Sequence, residues 1–209
     1  MHEAQRERVL LVGSTGLIGS AVKALLSKAS EYEVVGVTRT TRPPIDLEDA
    51  ASIEAAFDVL GDVAHVIVTA GEARFGGFDD LDAEAFAVGL KSKLMGQVIV
   101  AMAALRRVPA GGSVTLTSGA LAHSPIPGSA AVALVNGALD SFVRAIALDV
   151  PRGRRINVVS PGWIRETRLR LGLDPDPGAS ARDVAKLYRS ALQSDVHGRV
   201  ISALEDGPS

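Results

Sequence analysis

Short runs of β-branched residues alternate along the chain with longer stretches in which Ala and Leu recur at helical spacing. RVLLV (8–12), EVVGVT (33–38), AHVIVTAG (64–71), GSVTLTSG (112–119), RINVVSPG (155–162) and GRVISAL (198–204) predict strands. Between them, LIGSAVKALLSKA (17–29), LEDAASIEAAFDVL (47–60), one long segment over 83–108, a stretch from an N-cap at Ser129 to about Asp149, and ARDVAKLYRSALQ (181–193) predict helices. The strands are apolar almost throughout rather than alternating, as burial on both faces requires. The pattern therefore predicts an α/β, doubly wound, mostly parallel sheet with helices on both faces, forming a single domain over residues 1–209. Ligands of such sheets bind beyond the carboxyl ends of the strands, so chemistry is sought in the residues just after each strand. GLDPDPGAS (172–180), rich in proline and glycine, is expected to be a mobile loop beside that end.

Composition narrows the partners. The chain has 209 residues, 47% of them hydrophobic and 22% charged, enough for one sizeable core and too few for a second domain. A net charge of −2 offers no bulk attraction to nucleic acid or to an anionic membrane, which leaves small molecules as the expected partners. With no cysteine, disulfides, thiolate chemistry and Cys-based zinc sites are excluded, and no metal is expected. The charged start leads into a short apolar run that suits a first strand and is too short for a signal peptide or a membrane span, so a cytoplasmic location is expected. HEAQRER (2–8) is read as a frayed terminus.

After the first strand comes VGSTGLIG, with Gly13, Gly16 and Gly19. A dinucleotide needs a tight strand-to-helix turn, bare backbone where the pyrophosphate approaches, and close helix packing, and each glycine can meet one of these demands. The spacing, GxxGxxG, is one residue longer at its start than the usual GxGxxG. An NAD site places an acid at the end of the second strand, whereas Glu31 and Glu33 lie at its start. The strand ends instead in TRTTRPP, which offers Arg39, Arg42 and the hydroxyls of Thr38, Thr40 and Thr41 to a 2′-phosphate; the plainer alternative is a solvated basic turn.

In order and spacing, these landmarks resemble the short-chain dehydrogenase/reductase family over nearly the whole chain. VGSTGLIG resembles its cofactor loop in an atypical spacing, IDL (Ile45, Asp46, Leu47) its Asp-hydrophobic pair beside the adenine, and TAG (Thr69, Ala70, Gly71) its N-A-G turn. SVTLTSG resembles the strand that carries the catalytic serine, matched here by Ser118, and INVVSPGWI the segment beside the nicotinamide. The connection from Arg39 to Asp46 is too short for the family's intervening helix. The resemblance implies a Rossmann-type fold that binds NADP(H) through Gly13, Ser14, Thr15, Gly16, Leu17, Ile18, Gly19, Arg39, Thr40, Arg42, Asp46, Leu47, Ala70, Gly71, Pro161, Gly162, Trp163 and Ile164. It also implies a homodimer or higher homo-oligomer paired through the long helix and the helix after Ser129.

The family's Y-x-x-x-K pair is missing. Aligning NGALDSFVRAIALDV (136–150) with the segment that begins at the family lysine places Asn136 at the lysine and Val132 at the tyrosine, and neither tyrosine of the chain, Tyr32 or Tyr188, lies on that helix. The family's asparagine, three residues before a glycine on the long helix, is replaced by Lys93 in SKLMG. Lysine and asparagine have traded places, so Lys93 and Asn136 are expected to meet near the nicotinamide ribose, with Lys91 pointing off the other side. Lys93 and Ser118 are the candidate catalytic pair; the plainer alternative for Lys93 is a snorkelling surface lysine.

Other residues leave two readings open. His123 is either a proton donor or a solvated loop histidine, and Trp163 either walls the pocket or simply packs. Arg165, Arg168 and Arg170 either attract an anion or form a solvated loop face. The sequence thus supports two functions: an NADP(H)-dependent oxidoreductase acting on a small carbonyl, alcohol or activated alkene, or a non-catalytic NADP(H)-binding sensor or interaction protein. An isomerase or lyase on the same scaffold is a weaker third.

Overall fold

The structure, a computed structural model, describes residues 6–170 and 172–202. Six strands form one sheet in the order β2-β1-β3-β4-β5-β6, every pair parallel: β1 (Glu7–Val12), β2 (Tyr32–Val37), β3 (His65–Val68), β4 (Ser113–Thr117), β5 (Arg155–Val159) and β6 (Val200–Ile201). The chain winds from β1 outward to β2, then crosses back to β3 and proceeds the other way. The order thus reverses between β1 and β3, which opens a crevice at their carboxyl ends.

Helices α1 (Leu17–Leu26), α2 (Ala50–Leu60), α3 (Ala83–Val88), α4 (Gly96–Arg107), α5 (Ala130–Ile146), α6 (Arg165–Arg170) and α7 (Ala181–Gln193) cover both faces. On one face Ile53 and Phe57 of α2, Val100 and Ala104 of α4, and Leu139 and Val143 of α5 pack on Leu10, Val66, Leu116 and Ile156. On the other, Val22 and Leu26 of α1 meet Val184 and Tyr188 of α7 over Val9, Leu11 and Ile67. All four residues of β3 are buried, as the unbroken apolar runs predict.

Several local expectations are corrected. The long helix is continuous from Ala83 to Arg107, but α3 and α4 are joined by a π-helical turn, Gly89–Met95, that regular periodicity does not signal. By length and composition this helix could cross a membrane; half of its most apolar window is buried inside the fold. Ser129 precedes α5 without capping it, because its hydroxyl is engaged with the backbone of Ile126, donating to the carbonyl at 2.7 Å. The helix ends at Ile146, short of Asp149. Residues 165–170, read as a loop face, form α6, and Glu166 reaches from it to accept the Ala181 N–H at 3.1 Å, capping α7. In HEAQRER, residues 2–5 lie outside the described residues, while Glu7 and Arg8 belong to β1 rather than to a frayed end. Ala203 and Leu204 of the last predicted strand also lie outside them.

Candidate active site

The turn from β1 into α1 is built on missing side chains. Gly13 has φ +86°, and a Cβ there would fall 2.8 Å from the Ala70 nitrogen; at Gly19 it would fall 2.1 Å from the Gly13 carbonyl oxygen. These distances let α1 pack against its own turn and leave bare backbone toward β3. Gly16 sits at the N-cap, with its N–H bonded to the Gly13 carbonyl at 3.1 Å. The opening N–H groups of α1, at Leu17, Ile18 and Gly19, have no carbonyl one turn earlier in the helix and are available to an anion. Ser14 is buried and turned under the loop, where its Oγ lies 2.7 Å from the place a Gly36 Cβ would take.

A recess of about 170 Å³ lies beyond β1 and β2, lined by Gly13, Thr15, Thr38, Arg39, Asp46 and Leu47, among others. Arg39 is exposed and pairs with Glu72 at 3.9 Å, both side chains about 70% open to water. Thr40 and Arg42 are exposed and do not line this recess. The Thr40 hydroxyl is instead 3.1 Å from that of Thr38, while Thr41 Oγ1 accepts the Thr38 N–H at 3.0 Å. The short connection works because the chain doubles back, with the Ile45 N–H on the Thr38 carbonyl at 3.0 Å. Leu47 then lies directly on Gly96, where a Cβ would come within 2.5 Å of the leucine Cβ.

Ala70 and Gly71 are shared with a second cavity of about 550 Å³ over β4 and β5. Its head holds Lys93, Ser118 and Asn136, which the fold delivers from three elements: the π turn, the end of β4 and the middle of α5. Gly71, at φ +134°, permits this approach, since a Cβ there would stand 2.8 Å from the Lys93 Cα. The lysine ammonium donates to the Ser118 carbonyl at 3.3 Å. Its burial brings the pKa from 10.5 down to about 8, against the opposing pull of the Asp140 charge. Lys91 is exposed, as the helix geometry predicts. Ser118 Oγ and Asn136 Oδ1 are buried without a partner among the described residues. The end of β4 is held by Gln97, whose amide both accepts the Thr117 N–H and donates to the Thr117 carbonyl, each at 2.9 Å.

Val132, one turn before Asn136 on α5, also lines the cavity. Tyr188 is wholly buried between α7 and β4, with its hydroxyl 2.8 Å from Thr117 Oγ1, and Tyr32 is in β2. Pro161, Gly162, Trp163 and Ile164 line the far wall, Ile18 the near one. Trp163 lies beside Phe75, with 6.5 Å between ring centroids and the rings tilted by 30°, and the Arg168 guanidinium lies over the tryptophan ring, 5.5 Å from its centroid. Arg168 thus buttresses the wall, and Arg165 pairs with Asp176 at 2.9 Å. That bond and the Arg168 N–H on the Asp174 carbonyl tie down the stretch expected to be a mobile loop, whose Pro177 and Ala179 reach the cavity. His123 is half exposed, yet its ring is bonded to the buried Asp140 carboxylate at 2.8 Å. Asp140, Gln97 and Phe75 were not singled out by sequence. Asp140 carried a signal, as the one acid of α5, four residues after Asn136 and eight after Val132 on a helix face whose other buried residues are apolar except Asn136.

The residues present fit a dinucleotide. Bare glycine backbone and free helix N–H groups suit phosphates, and Ser118 Oγ and Asn136 Oδ1 are unpaired polar atoms in the wall where a ribose and a reacting group would lie. Among the described residues no cluster of His, Asp and Glu could hold a metal ion.

The family model described as enoyl-(acyl carrier protein) reductase matches residues 13–206. The 2-(S)-hydroxypropyl-CoM dehydrogenase 3 of Xanthobacter autotrophicus is 31% identical over 164 residues, 75% of this chain and 64% of that relative. The chain thus spans less than two thirds of that relative's length. Among solved structures, the protein lin1944 from Listeria innocua has a TM-score of 0.88 at 30% identity, covering 94% of this chain and 99% of that one. A small-chain dehydrogenase in complex with NADPH has a TM-score of 0.84 at 26% identity, covering 95% and 97%. With a match that runs from the glycine turn through the last strand, the chain belongs to the short-chain dehydrogenase/reductase family of nicotinamide-dependent oxidoreductases.

Proposed function

We propose that the protein is an NADP(H)-dependent oxidoreductase that acts on a small, uncharged carbonyl compound, the corresponding alcohol or an activated alkene. The observation that carries this reading is Lys93, held with Ser118 at the head of a cavity where, among the described residues, no other lining side chain carries a charge. Phe75, Leu121, Val132, Trp163 and Leu187 make the remaining walls apolar, so the cavity favours a hydrophobic body with one polar end. When bound, the nicotinamide supplies the hydride. The free Ser118 Oγ is available to bind the substrate oxygen, Lys93 holds the proton that oxygen needs, and Asn136 offers its amide beside them. NADPH oxidation with a panel of aliphatic and aromatic ketones and enones tests this. The second reading, an NADP(H)-binding sensor without turnover, is favoured by Val132, which leaves the wall without the family's phenolic donor. Tight NADPH binding with no panel member reduced would decide for it.

Preference for NADPH over NADH rests on Arg39 at the mouth of the smaller recess. Its pairing with Glu72 is exposed and weak, so a 2′-phosphate can displace it. Replacing both Arg39 and Arg42 by Ala is expected to weaken NADPH roughly ten- to hundredfold, the worth of charge-assisted bonds. NADH should stay nearly unchanged. Fluorescence titration of both cofactors reads the difference, and equal effects on the two would refute the assignment.

The described faces of the π turn and α5 expose Leu90, Met95 and Leu134, an apolar surface that a second copy would cover. A homodimer or larger homo-oligomer is expected. Light scattering at micromolar concentration that returns a mass near 21.7 kDa would rule it out.

A further inference from the structure

α5 carries a buried carboxylate that the proposed reaction does not use. Asp140 sits on α5 one turn beyond Asn136 and two beyond Val132, on the same face, but does not line the cavity. Its side chain is 2% exposed. One oxygen, Oδ2, bonds the His123 ring at 2.8 Å, and the other, Oδ1, has no partner among the described residues. A buried carboxylate with half its hydrogen-bonding capacity unmet is costly unless a positive charge is near. The π turn that packs against α5 provides one in Lys93.

We propose that Asp140 is a positioning residue for Lys93: clamped by His123 through Oδ2, it presents Oδ1 beneath the ammonium and keeps that ammonium charged at the head of the cavity. The proposal rests on reading Lys93 as the proton holder and adds what controls it. The other charged groups near the lysine are disposed differently. Lys91 is exposed on the opposite side of the turn, and Glu72, whose N–H bonds Ser92 Oγ, turns its carboxylate out to Arg39. His123 therefore has a defined task, since its half-exposed ring reaches water on one side and the buried acid on the other. The burial that lowers the pKa of Lys93 is opposed by Asp140, in keeping with this geometry.

The test tracks the five lysines of the cofactor-free full chain by NMR of their Cε–Hε groups against pH, with Lys93→Met assigning the signal. The wild-type Lys93 midpoint is expected near 8. Asp140→Asn should lower it by about one unit, the usual scale for a close opposite charge, and leave the other four lysines in place. His123→Gln, which can still donate to Oδ2, should keep the wild-type midpoint. His123→Leu removes that clamp, frees the carboxylate to turn from Lys93 and should lower the midpoint in the same direction as Asp140→Asn. A purely structural role for Asp140 would move melting temperature and not this titration. If Asp140→Asn does not fold, the two surface substitutions at His123 decide alone. A Lys93 midpoint indifferent to Asp140→Asn, or to His123→Leu when the former does not fold, overturns the proposal. Because the titration needs neither cofactor nor substrate, its outcome is independent of whether the protein turns over any carbonyl.

Discussion

Lys93→Met is expected to leave NADPH affinity within a few-fold of wild type and to lower carbonyl reduction by about 10²–10⁴-fold, the worth of a placed general acid. The expectation follows from burial. Desolvation takes the lysine from 10.5 down to about 8, close enough to neutrality for the ammonium to give up a proton to an oxygen held by Ser118. The donating form is the charged one, which is complete below the folded pKa and is lost as pH rises through it. Wild-type reduction should therefore fall above about pH 8, and the methionine variant's residual rate should be flat across that interval. Steady-state rates between pH 6 and 10, beside NADPH titrations, read both effects. Methionine keeps the length and apolar stem of lysine, so packing around the π turn survives. A variant that loses NADPH while retaining its rate at saturation would instead make Lys93 a ribose ligand.

Gly19→Val should act on the cofactor and the fold together. A Cβ at Gly19 would stand 2.1 Å from the Gly13 carbonyl oxygen and 2.7 Å from Thr69 Oγ1, and the nearer of these is backbone that cannot swing aside. Either α1 lifts from its turn or the turn shifts. The overpacking cost is about 1–3 kcal/mol, equivalent to roughly ten- to hundredfold in NADPH affinity if it falls wholly on the bound form. Thermal melting and fluorescence titration should both show the damage. Gly137→Ala makes a useful contrast. None of the described residues lies within 4 Å of its missing Cβ, and alanine in a helix interior is favoured by about 1 kcal/mol, so its melting temperature should rise. A Gly19→Val protein that binds NADPH as wild type does would show that the close turn is dispensable.

The strands could be read because parallel strands buried on both faces tend to apolar, β-branched runs. Residues 9–12 of β1 and 66–68 of β3 are such runs, whereas β4, SVTLT, is readable by its β-branched residues although three of its five buried positions are polar. The pocket residues immediately after strands, Gly13, Ala70, Ser118 and Pro161, could be read for the same reason, since topology alone puts them at one end of the sheet. The features that escaped depend on side chains meeting across the fold. Gln97 looks like an ordinary helix surface residue until the Thr117 backbone appears beside it, 20 positions later in sequence. Asp140 stands out as the one acid of α5, but its partner is hidden until His123 folds back over it. The π turn escaped for a different cause. Its residues, GLKSKLM, have nothing in their helix propensity to separate them from the flanking turns. The wider turn becomes visible when Ser92 is found buried while Leu90 and Met95 face outward.

That wider turn makes the helix sensitive to its length as well as to its residues. Each residue of an ordinary helix advances the phase by about 100°, so deleting one position between Gly89 and Met95 and restoring regular pitch would rotate one half of the helix against the other. Where the lost position lies between Lys93 and Gln97, the two side chains change phase and could no longer both keep their places at the cavity head and at the end of β4. Point substitutions alone cannot reproduce that change, whereas a single codon lost or gained can. Insertions and deletions in this seven-residue window, more than changes of amino acid, are therefore where relatives with a differently equipped cavity head should diverge.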